Sequence, residues 1–404
     1  MRNRAVKPKK TEEGSDIRSS GSAMPEGALF LLTAVAIVFF GLIMLYSTSY
    51  VIFGFSYFTK QMIWAGIGFA AMAGTVMIGY RRLCGWSFLF LIICIGLLAL
   101  ALFFKPIKGA HRWILLGPFS IQPSEFAKVV LVLLMSWFLA GRPRDIECSS
   151  FLKVMVPLGL LAGPMIALVL LGKDLGTTVL LGSVFLIMLF IAGVKIWYLL
   201  PFILVFPPLA VYLIVKFDPE RLSRLTTFLD PELTASGDGY QLWNSLLALG
   251  SGGWQGIGFT ESRIKLKYLP EAHTDFILSI VGEELGFISL LCVLAAYMLF
   301  AFAGLRIGCK ARTRQGMFIS FGMISFMMIQ AFINIGVISG ALPTKGMPAP
   351  LISYGGSNLV ASLIAVGCVF SVAVDTAYPD YADGLLRFLP FFRGKSKTEK
   401  KSRA

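Results

Sequence analysis

Four short polar motifs carry the residues of this sequence that could do chemistry, and each stands at the start of a long apolar run. They are HRW at 111–113, QPSEFAK at 122–128, GKDLGTT at 172–178 and HTDFILSIVGEELG at 273–286. Carboxylates in such motifs can act as general bases, and arginine or lysine can bind phosphate. A charged side chain in an apolar span is costly unless it is paired or hydrated, so each motif is a candidate for function.

The motif at 122–128 combines a helix start with two opposite charges. Pro123 suits the first helical turn, and Glu125 and Lys128 lie three residues apart, so their side chains share one helix face. The pair can neutralise itself for burial, bind substrate, or do both. In the preceding motif, Arg112 is suited either to bidentate contact with phosphate or to anchoring beside Trp113 at the membrane interface.

Two aspartates stand where apolar helices are expected to begin. Asp174 can cap its helix, because the helix dipole favours a carboxylate at this end. Asp275 follows Thr274, which we predict to be the cap of the next helix. Its position beside His273 favours an anionic ligand site, and so do the cations of the preceding loop, which are Arg263, Lys265 and Lys267.

The loop before Asp275 and the helix after it suggest two further features. Ser279 and Gly282 share a helix face with Asp275, which predicts a narrow polar strip lining a cavity. The loop contains five closely spaced glycines, Gly250, Gly252, Gly253, Gly256 and Gly258, and these predict unusual backbone freedom. A partner that docks on this loop is therefore expected to place Asp275 for catalysis, unless the loop only shields a cavity.

The elements that must position these motifs are membrane helices. The chain has 404 residues, of which 56% are hydrophobic and 14% charged, whereas soluble domains carry about 25% charged residues. This composition excludes a soluble globular, disordered or fibrous protein. The net charge of +14 does not indicate nucleic acid, because the basic residues cluster at the termini and in short loops. The six cysteines have no C-x-x-C spacing, so neither disulfides nor zinc are expected.

Ten apolar runs are long enough to be transmembrane helices. They lie at 28–47, 62–80, 86–104, 124–141, 151–172, 176–194, 196–215, 275–304, 317–341 and 357–377. The distribution of lysine and arginine places both termini in the cytoplasm. The sequence therefore predicts an all-α polytopic membrane protein with ten transmembrane helices.

Three segments on the extracytoplasmic side are too rich in polar and glycine residues to be simple connectors. They are 105–123, the large loop 216–274 between helices seven and eight, and 342–356. We predict three regions: a cytoplasmic basic tail at 1–27, a membrane domain at 28–378 and a second cytoplasmic basic tail at 379–404. The tails are expected to attract anionic membrane lipid.

The motifs together resemble the SEDS family, named for shape, elongation, division and sporulation. The resemblance rests on KGAHRWI…QPSEFAK, LGKDLGTT, GSGGWQGIGF…LPEAHTDFILSIVGEELGF and NIGVISGALPTKGMPAPLISYGGSN, in this order. The PTKG sequence at 343–346 is closer to the division branch of the family than to its elongation branch. Lys173 replaces a usual proline, and Asn358 replaces a common serine.

The resemblance implies a peptidoglycan glycosyltransferase of the bacterial inner membrane, which polymerises lipid II at the outer face during septal cell-wall synthesis. It implies a class B penicillin-binding protein and other division proteins as partners. Asp275 matches the catalytic acidic residue of the family. The residues in or near motifs that surround the same cavity, and so are expected to bind substrate, are Arg112, Glu125, Lys128, Asp174, Lys267 and His273.

The chemistry of lipid II fits these residues. The reaction inverts an α-linked pyrophosphate into a β-glycosidic bond, and pyrophosphate is a good leaving group. One carboxylate base together with Arg, Lys or a divalent cation (Mg²⁺ or Mn²⁺, not stably bound) is then sufficient. Two other functions remain open from the sequence, a flippase that moves lipid II across the bilayer and a non-catalytic division scaffold.

Overall fold

A computed structural model describes residues 23–378 except for 108, 118, 143–147, 203, 205–231, 233–236, 238, 268, 271 and 345. The helices are α1 Met24–Phe53, α2 Ser56–Ile78, α3 Tyr80–Gly85, α4 Ser87–Ala101, α5 Pro123–Ala140, α6 Cys148–Leu171, α7 Leu175–Ile191, α8 Tyr240–Gly252, α9 Ile264–Lys267, α10 Ile277–Lys310, α11 Arg314–Ile338 and α12 Gly356–Ala377. The strands are β1 Ile114–Leu116 and β2 Phe119–Ile121.

The prediction of a helical polytopic membrane protein is confirmed. Within the described ranges, seven helices (α1, α2, α5, α6, α10, α11 and α12) are long and apolar enough to cross a membrane. With 15 and 17 residues, α4 and α7 fall short of the roughly 20 residues that span the hydrocarbon core. The predicted seventh span, 196–215, is helical over 196–202 and lies mostly outside the described residues. The count of ten helices therefore stays a prediction.

The helices form one bundle in which α5 and α12 lie innermost, with most of their side chains buried. Around them, α2 packs along α12, and α11 contacts α5, α7, α10 and α12. Tight packing is visible at Gly367, where an added Cβ would lie 1.9 Å from Thr75 Oγ1 of α2. Helices in membranes associate through such close contacts of small residues, since lipid offers no hydrophobic driving force between them.

The two ends of the bundle are defined by contacts between helix termini. Lys310 at the end of α10 pairs with Glu26 at the start of α1 (Nζ–Oε1, 2.7 Å). An added Cβ at Gly27 would lie 3.0 Å from Ala373 Cβ, near the end of α12. Asp275 lies before the start of α10, and we call this end of the bundle the site end. The start of α1, the end of α10 and the end of α12 lie together at the other end, which we call the opposite end.

The segment 105–123 at the site end folds around a β-hairpin. Strands β1 and β2 pair antiparallel, with Ile114 opposite Ile121. An isolated bridge joins Ile107 to Ala110, and the His111 N–H donates to the Gly172 carbonyl (3.1 Å). This last bond connects the segment to the turn between α6 and α7. The hairpin adds a small sheet to the predicted all-α fold.

Helix α10 is broken at Gly286, whose φ and ψ are 78° and −179°. Residues 253–258, which we call the strap, satisfy the backbone groups that the break releases. The N–H groups of Ile257 and Gly258 donate to the carbonyls of Glu283 and Glu284, and the N–H groups of Phe287 and Ile288 donate to the carbonyls of Gly253 and Trp254. Non-helical backbone at membrane depth requires such partners. The predicted span 275–304 therefore contains a break, which the sequence pattern did not indicate.

Two glycines near the strap, Gly252 and Gly256, allow a close approach to α10. A Cβ at Gly252 would lie 1.9 Å from the Gly282 carbonyl oxygen, and one at Gly256 would lie 2.2 Å from the Glu284 carbonyl oxygen. Both neighbours are backbone atoms, which cannot move aside cheaply. The segment packs directly on α10, and Gly253, Gly256 and Gly258 have φ values of 54°, 81° and 120°, which glycine adopts without strain.

We expect Gly252→Ala to destabilise the protein, because the new methyl group overlaps the backbone of α10, and overpacking costs about 1–3 kcal/mol. Gly250→Ala is the matched control, since Gly250 lies in the same helix with open space around it. There alanine should be neutral or stabilising by about 0.5–1 kcal/mol. Thermal unfolding of the detergent-solubilised variants measures both. Equal midpoints would contradict the tight contact between α8 and α10.

Candidate active site

Asp174 connects the starts of α5 and α7 at the site end. It is the N-cap of α7, where its side chain accepts hydrogen bonds from the N–H (3.3 Å) and Oγ1 (3.0 Å) of Thr177. Its Oδ2 also accepts from Gln122 Nε2 (3.1 Å) and Ser124 Oγ (2.9 Å). The predicted capping role of Asp174 is confirmed. The same carboxylate fixes the position of α5 relative to α7.

Arg112 places a cation beside this carboxylate. Its Nη1 lies 3.7 Å from Asp174 Oδ1, and its side chain is 26% exposed. Within the described part of the chain, its buried Nε has no hydrogen-bond partner. This long ion pair leaves guanidinium donors for another anion, which suits the predicted contact with phosphate.

Glu125 and Lys128 form a buried ion pair (Oε2–Nζ, 2.6 Å), and the Lys128 side chain is only 2% exposed. Lys128 Nζ also donates to Gln330 Oε1 of α11 (2.7 Å) and lies 5.6 Å from the ring centroid of Phe326. The interpretation of the pair as self-neutralising is confirmed. Any contact of Lys128 with substrate stays a prediction.

Asp275 lies half-buried two residues before α10. Its carbonyl oxygen accepts a hydrogen bond from Asn334 Nδ2 of α11 (2.7 Å). Its carboxylate faces the backbone of the 346–350 segment, because a Cβ at Gly346 would lie 2.9 Å from Asp275 Oδ2. The predicted cap is wrong: Phe276 occupies the N-cap position of α10, without a side-chain cap, so Thr274 does not cap this helix.

His273 is held by two aromatic rings. Its ring centroid lies 4.8 Å from that of Tyr57 and 5.8 Å from that of Tyr354. The Tyr354 N–H donates to the His273 carbonyl (3.0 Å). These contacts attach the segment before Asp275 to α2 and to the loop before α12. Lys267 ends α9, and its side chain lies outside the described residues.

The segment 346–350 joins the Asp174 and Asp275 groups. A Cβ at Gly176 would lie 3.2 Å from Met347 Sδ, and the Met347 carbonyl accepts from Asn334 Nδ2 (2.8 Å). Gly346 lies against Asp275 Oδ2. Gly176, two residues after Asp174, therefore packs on Met347, while Asp275 lies against Gly346 of the same segment. Motifs about 100 residues apart in sequence are brought to one place.

The predicted polar strip on α10 packs against α8 and does not line a cavity. Ser279 Oγ bonds Ser245 Oγ of α8 (2.7 Å), and a Cβ at Gly282 would lie 2.5 Å from Leu249 Cδ2. These side chains fill the α8–α10 contact, so the prediction of an open strip is wrong.

Two buried carboxylates of α10 bind the segment 262–265, which precedes α10 in the chain. Glu283 accepts from Ser262 Oγ and from the Arg263 N–H (3.1 Å). Glu284 accepts from Ser47 Oγ of α1 (2.6 Å to Oε2) and pairs with Lys265 Nζ (2.5 Å). A cavity of about 390 Å³ lies beside Glu283 and not beside Asp275. Sequence reasoning missed the Glu284–Lys265 pair, although two consecutive glutamates in an apolar run signal internal partners.

The described residues do not offer a resident metal centre. Among them, no group of three His, Cys, Asp or Glu side chains could hold an ion, and the Asp174 carboxylate accepts four hydrogen bonds from the protein. Mg²⁺ is often bound by one or two carboxylates together with substrate phosphates. A divalent cation that accompanies the substrate therefore stays a prediction.

Comparisons with known proteins point to one family. The FtsW/RodA/SpoVE family model, described as a cell cycle protein, matches residues 27–378. A probable peptidoglycan glycosyltransferase FtsW of Geobacter metallireducens is 39% identical over 358 residues, which cover 85% of this chain and 94% of that protein. The protein of the same name from Coxiella burnetii is 36% identical over 365 residues, covering 86% and 96%.

Solved structures agree with these relatives. One similar chain comes from a peptidoglycan synthase complex studied for the structural coordination of polymerization and crosslinking. Its TM-score is 0.73 at 28% identity, and the match covers 86% of this chain and 98% of that one. The crystal structure of the rod shape determining protein RodA of Thermus thermophilus has a TM-score of 0.63 at 26% identity, covering 86% and 96%.

We expect Lys128→Met to lower stability strongly, because it leaves Glu125 as an uncompensated buried charge, which costs about 3–5 kcal/mol. The double variant Glu125→Gln/Lys128→Met should recover most of the loss. Arg306→Met is the control, since Arg306 is exposed and lies 3.9 Å from Glu26; surface pairs contribute about 0–1 kcal/mol. Unfolding midpoints in detergent provide the measurement. If Lys128→Met unfolds like the wild type, the pair does not stabilise the fold.

Proposed function

Since the chain belongs to the FtsW/RodA/SpoVE family, which confirms its resemblance to the SEDS proteins, we propose that it is a peptidoglycan glycosyltransferase that polymerises lipid II into glycan strands. The observation that carries this proposal is the convergence at the site end. There the segment 346–350 contacts the Asp275 carboxylate at Gly346 and contacts Gly176, two residues after Asp174, at Met347; Asp174 in turn pairs with Arg112.

Asp275 is proposed as the general base. Polymerisation joins the C4 hydroxyl of one sugar to the anomeric carbon of another, and the polyprenyl pyrophosphate leaves with the electrons of the broken C–O bond. The carboxylate removes the hydroxyl proton as the new bond forms. Its half-buried position before α10 leaves it accessible from the site end, where a substrate anchored in the outer leaflet would present its reactive carbon.

Arg112 is proposed to stabilise the departing pyrophosphate. Such cations lower the barrier because negative charge grows on the leaving group in the transition state. Asp174 holds Arg112 in place while leaving donors for phosphate. Lys267 and His273 precede Asp275 in the sequence and are also proposed to bind the substrate. Mg²⁺ or Mn²⁺, if it accompanies the pyrophosphate, would supply further positive charge.

Glu125 and Lys128 are proposed to support the substrate site from within the bundle. Their ion pair is buried, so their contribution to substrate binding passes through Gln330 and the segments that Gln330 contacts.

The proposed location is the bacterial inner membrane at the division septum, with both tails in the cytoplasm. The start of α1 and the end of α12 lie together at the opposite end, which supports an even number of spans. A class B penicillin-binding protein is the proposed partner, as suggested by the similar chain from a peptidoglycan synthase complex. Other division proteins and anionic lipid are expected around it.

We expect Asp275→Asn to abolish polymerisation, because asparagine keeps the size of the side chain and removes its basicity, which is worth about 10²–10⁴-fold. Glu261→Gln is the control, since Glu261 is an exposed carboxylate in the same outer region. The assay measures glycan strands from purified lipid II, with and without the penicillin-binding protein. Polymer formation at the wild-type rate by Asp275→Asn would refute the assignment and favour a flippase.

We expect Arg112→Lys to lower kcat/KM by roughly tenfold or more, because a point charge does not replace the bidentate guanidinium fork. The matched control is Arg306→Lys, because the Arg306 side chain is exposed and lies near Glu26, at the end of the bundle away from Asp275. Polymerisation rates at several lipid II concentrations separate the two variants. Identical kinetics for both would reduce Arg112 to an interfacial anchor.

A further inference from the structure

Helix α11 carries two buried amides one turn apart. Gln330 and Asn334 lie four residues apart on the same face, and each is 1% exposed. A buried amide costs free energy unless its hydrogen-bonding groups find partners. The partners of these two amides therefore indicate why an apolar helix carries them.

Asn334 connects two segments of the candidate active site. Its Nδ2 donates to the Asp275 carbonyl (2.7 Å) and to the Met347 carbonyl (2.8 Å). Both partners are acceptors, so only the NH₂ end of the side chain can satisfy them, which fixes the amide orientation. One side chain thus sets the distance between the backbone of Asp275 and the segment 346–350.

Gln330 fastens the next residue of the same segment. Its Nε2 donates to the Pro348 carbonyl (2.7 Å) and to Asn358 Oδ1 of α12 (3.0 Å). Its Oε1 accepts from Lys128 (2.7 Å), which is paired with Glu125. The buried ion pair of α5 therefore orients Gln330, and Gln330 holds the segment.

The segment requires side-chain donors because of its prolines. Pro348 and Pro350 have no N–H group, so regular backbone pairing is not available to this stretch. Three of its carbonyls, those of Met347, Pro348 and Pro350, accept instead from buried side chains of α10 and α11: Tyr297 Oη donates to the Pro350 carbonyl (2.6 Å), next to the bonds from Gln330 and Asn334. The segment is thereby fixed with Gly346 against Asp275 Oδ2.

We propose that Asn334 is a positioning residue for the glycosyl transfer: it holds the backbone of Asp275 in register with Gly346 and Met347, and Gln330 holds the same segment from the next turn. The inference rests on the proposed function, in which Asp275 is the base. Among the described residues, the hydrogen bonds of the Asn334 side chain go to two backbone carbonyls, so its loss should impair the placement of the base rather than the affinity for lipid II.

A graded series at Asn334 tests this inference in the full-length protein with its penicillin-binding partner. Asn334→Ser keeps one donor and should lower kcat about tenfold, a value typical of one lost hydrogen bond. Asn334→Asp places a carboxylate oxygen, which can only accept, against the carbonyl oxygens of Asp275 and Met347. It should lower kcat by about 10²-fold, because a displacement of a catalytic group by about 1 Å can have an effect of this size. KM for lipid II should stay within about twofold of wild type in both variants.

The control is Asn244→Asp, because the only hydrogen bond of the Asn244 amide within the described part of the chain goes to the Tyr240 carbonyl of its own helix. Activities are expressed per folded molecule, determined by thermal unfolding, so that a loss of stability alone does not lower kcat. Hydrogen exchange over 272–280 and 346–352 should rise in the Asn334 variants and remain unchanged in the control.

Three results decide between the alternatives. Unchanged kcat in both Asn334 variants, with Asp275→Asn inactive, would overturn the positioning role and leave the proposed function intact. A raised KM at unchanged kcat would also overturn it, since Asn334 would then act on substrate affinity. Full activity of Asp275→Asn would refute the proposed function itself, whatever the Asn334 variants do.

Discussion

The structure depends on one constraint, which is that polar groups inside an apolar bundle must find their partners within the protein. Where α10 breaks at Gly286, the strap supplies the missing hydrogen bonds. In the proline-containing segment 346–350, side chains of α10 and α11 donate to three backbone carbonyls. In water such groups would be hydrated at little cost, but in the membrane each unsatisfied group costs several kcal/mol. The second of these segments forms part of the candidate active site, because its Gly346 lies against Asp275.

The same constraint pins both ends of the bundle. At the opposite end, Arg81 Nη2 pairs with the buried Asp375 (3.0 Å), whose Oδ2 also accepts from Tyr80 Oη (2.6 Å). At the site end, the Lys265–Glu284 pair attaches the segment 262–265 to α10. Removing one partner of a buried pair leaves an uncompensated charge, so helices joined in this way resist sliding. The two pairs therefore fix α12 against the start of α3 and the loop before α10 against α10.

The sequence predicted the features that depend on local pattern. The apolar runs located the helices, Pro123 marked the start of α5, and Asp174 was recognised as a cap. The break at Gly286 was not predicted, because a single glycine in an apolar run reads as a tolerated helix residue, and the strap that stabilises the break lies about 30 residues away in sequence. Thr274 was misassigned as a cap because the helix start is set by tertiary contacts.

Gln330 and Asn334 mark the limit of prediction at the site. Their polarity in an apolar helix signals that they have partners, yet nothing local identifies backbone carbonyls as those partners. The choice of a carbonyl has a chemical consequence. A donor placed on the carboxylate of Asp275 would stabilise its charged form and lower its basicity. A donor on its backbone oxygen fixes the residue without acting directly on the carboxylate. Asn334 can therefore position a general base while leaving its proton affinity to the surroundings of the side chain.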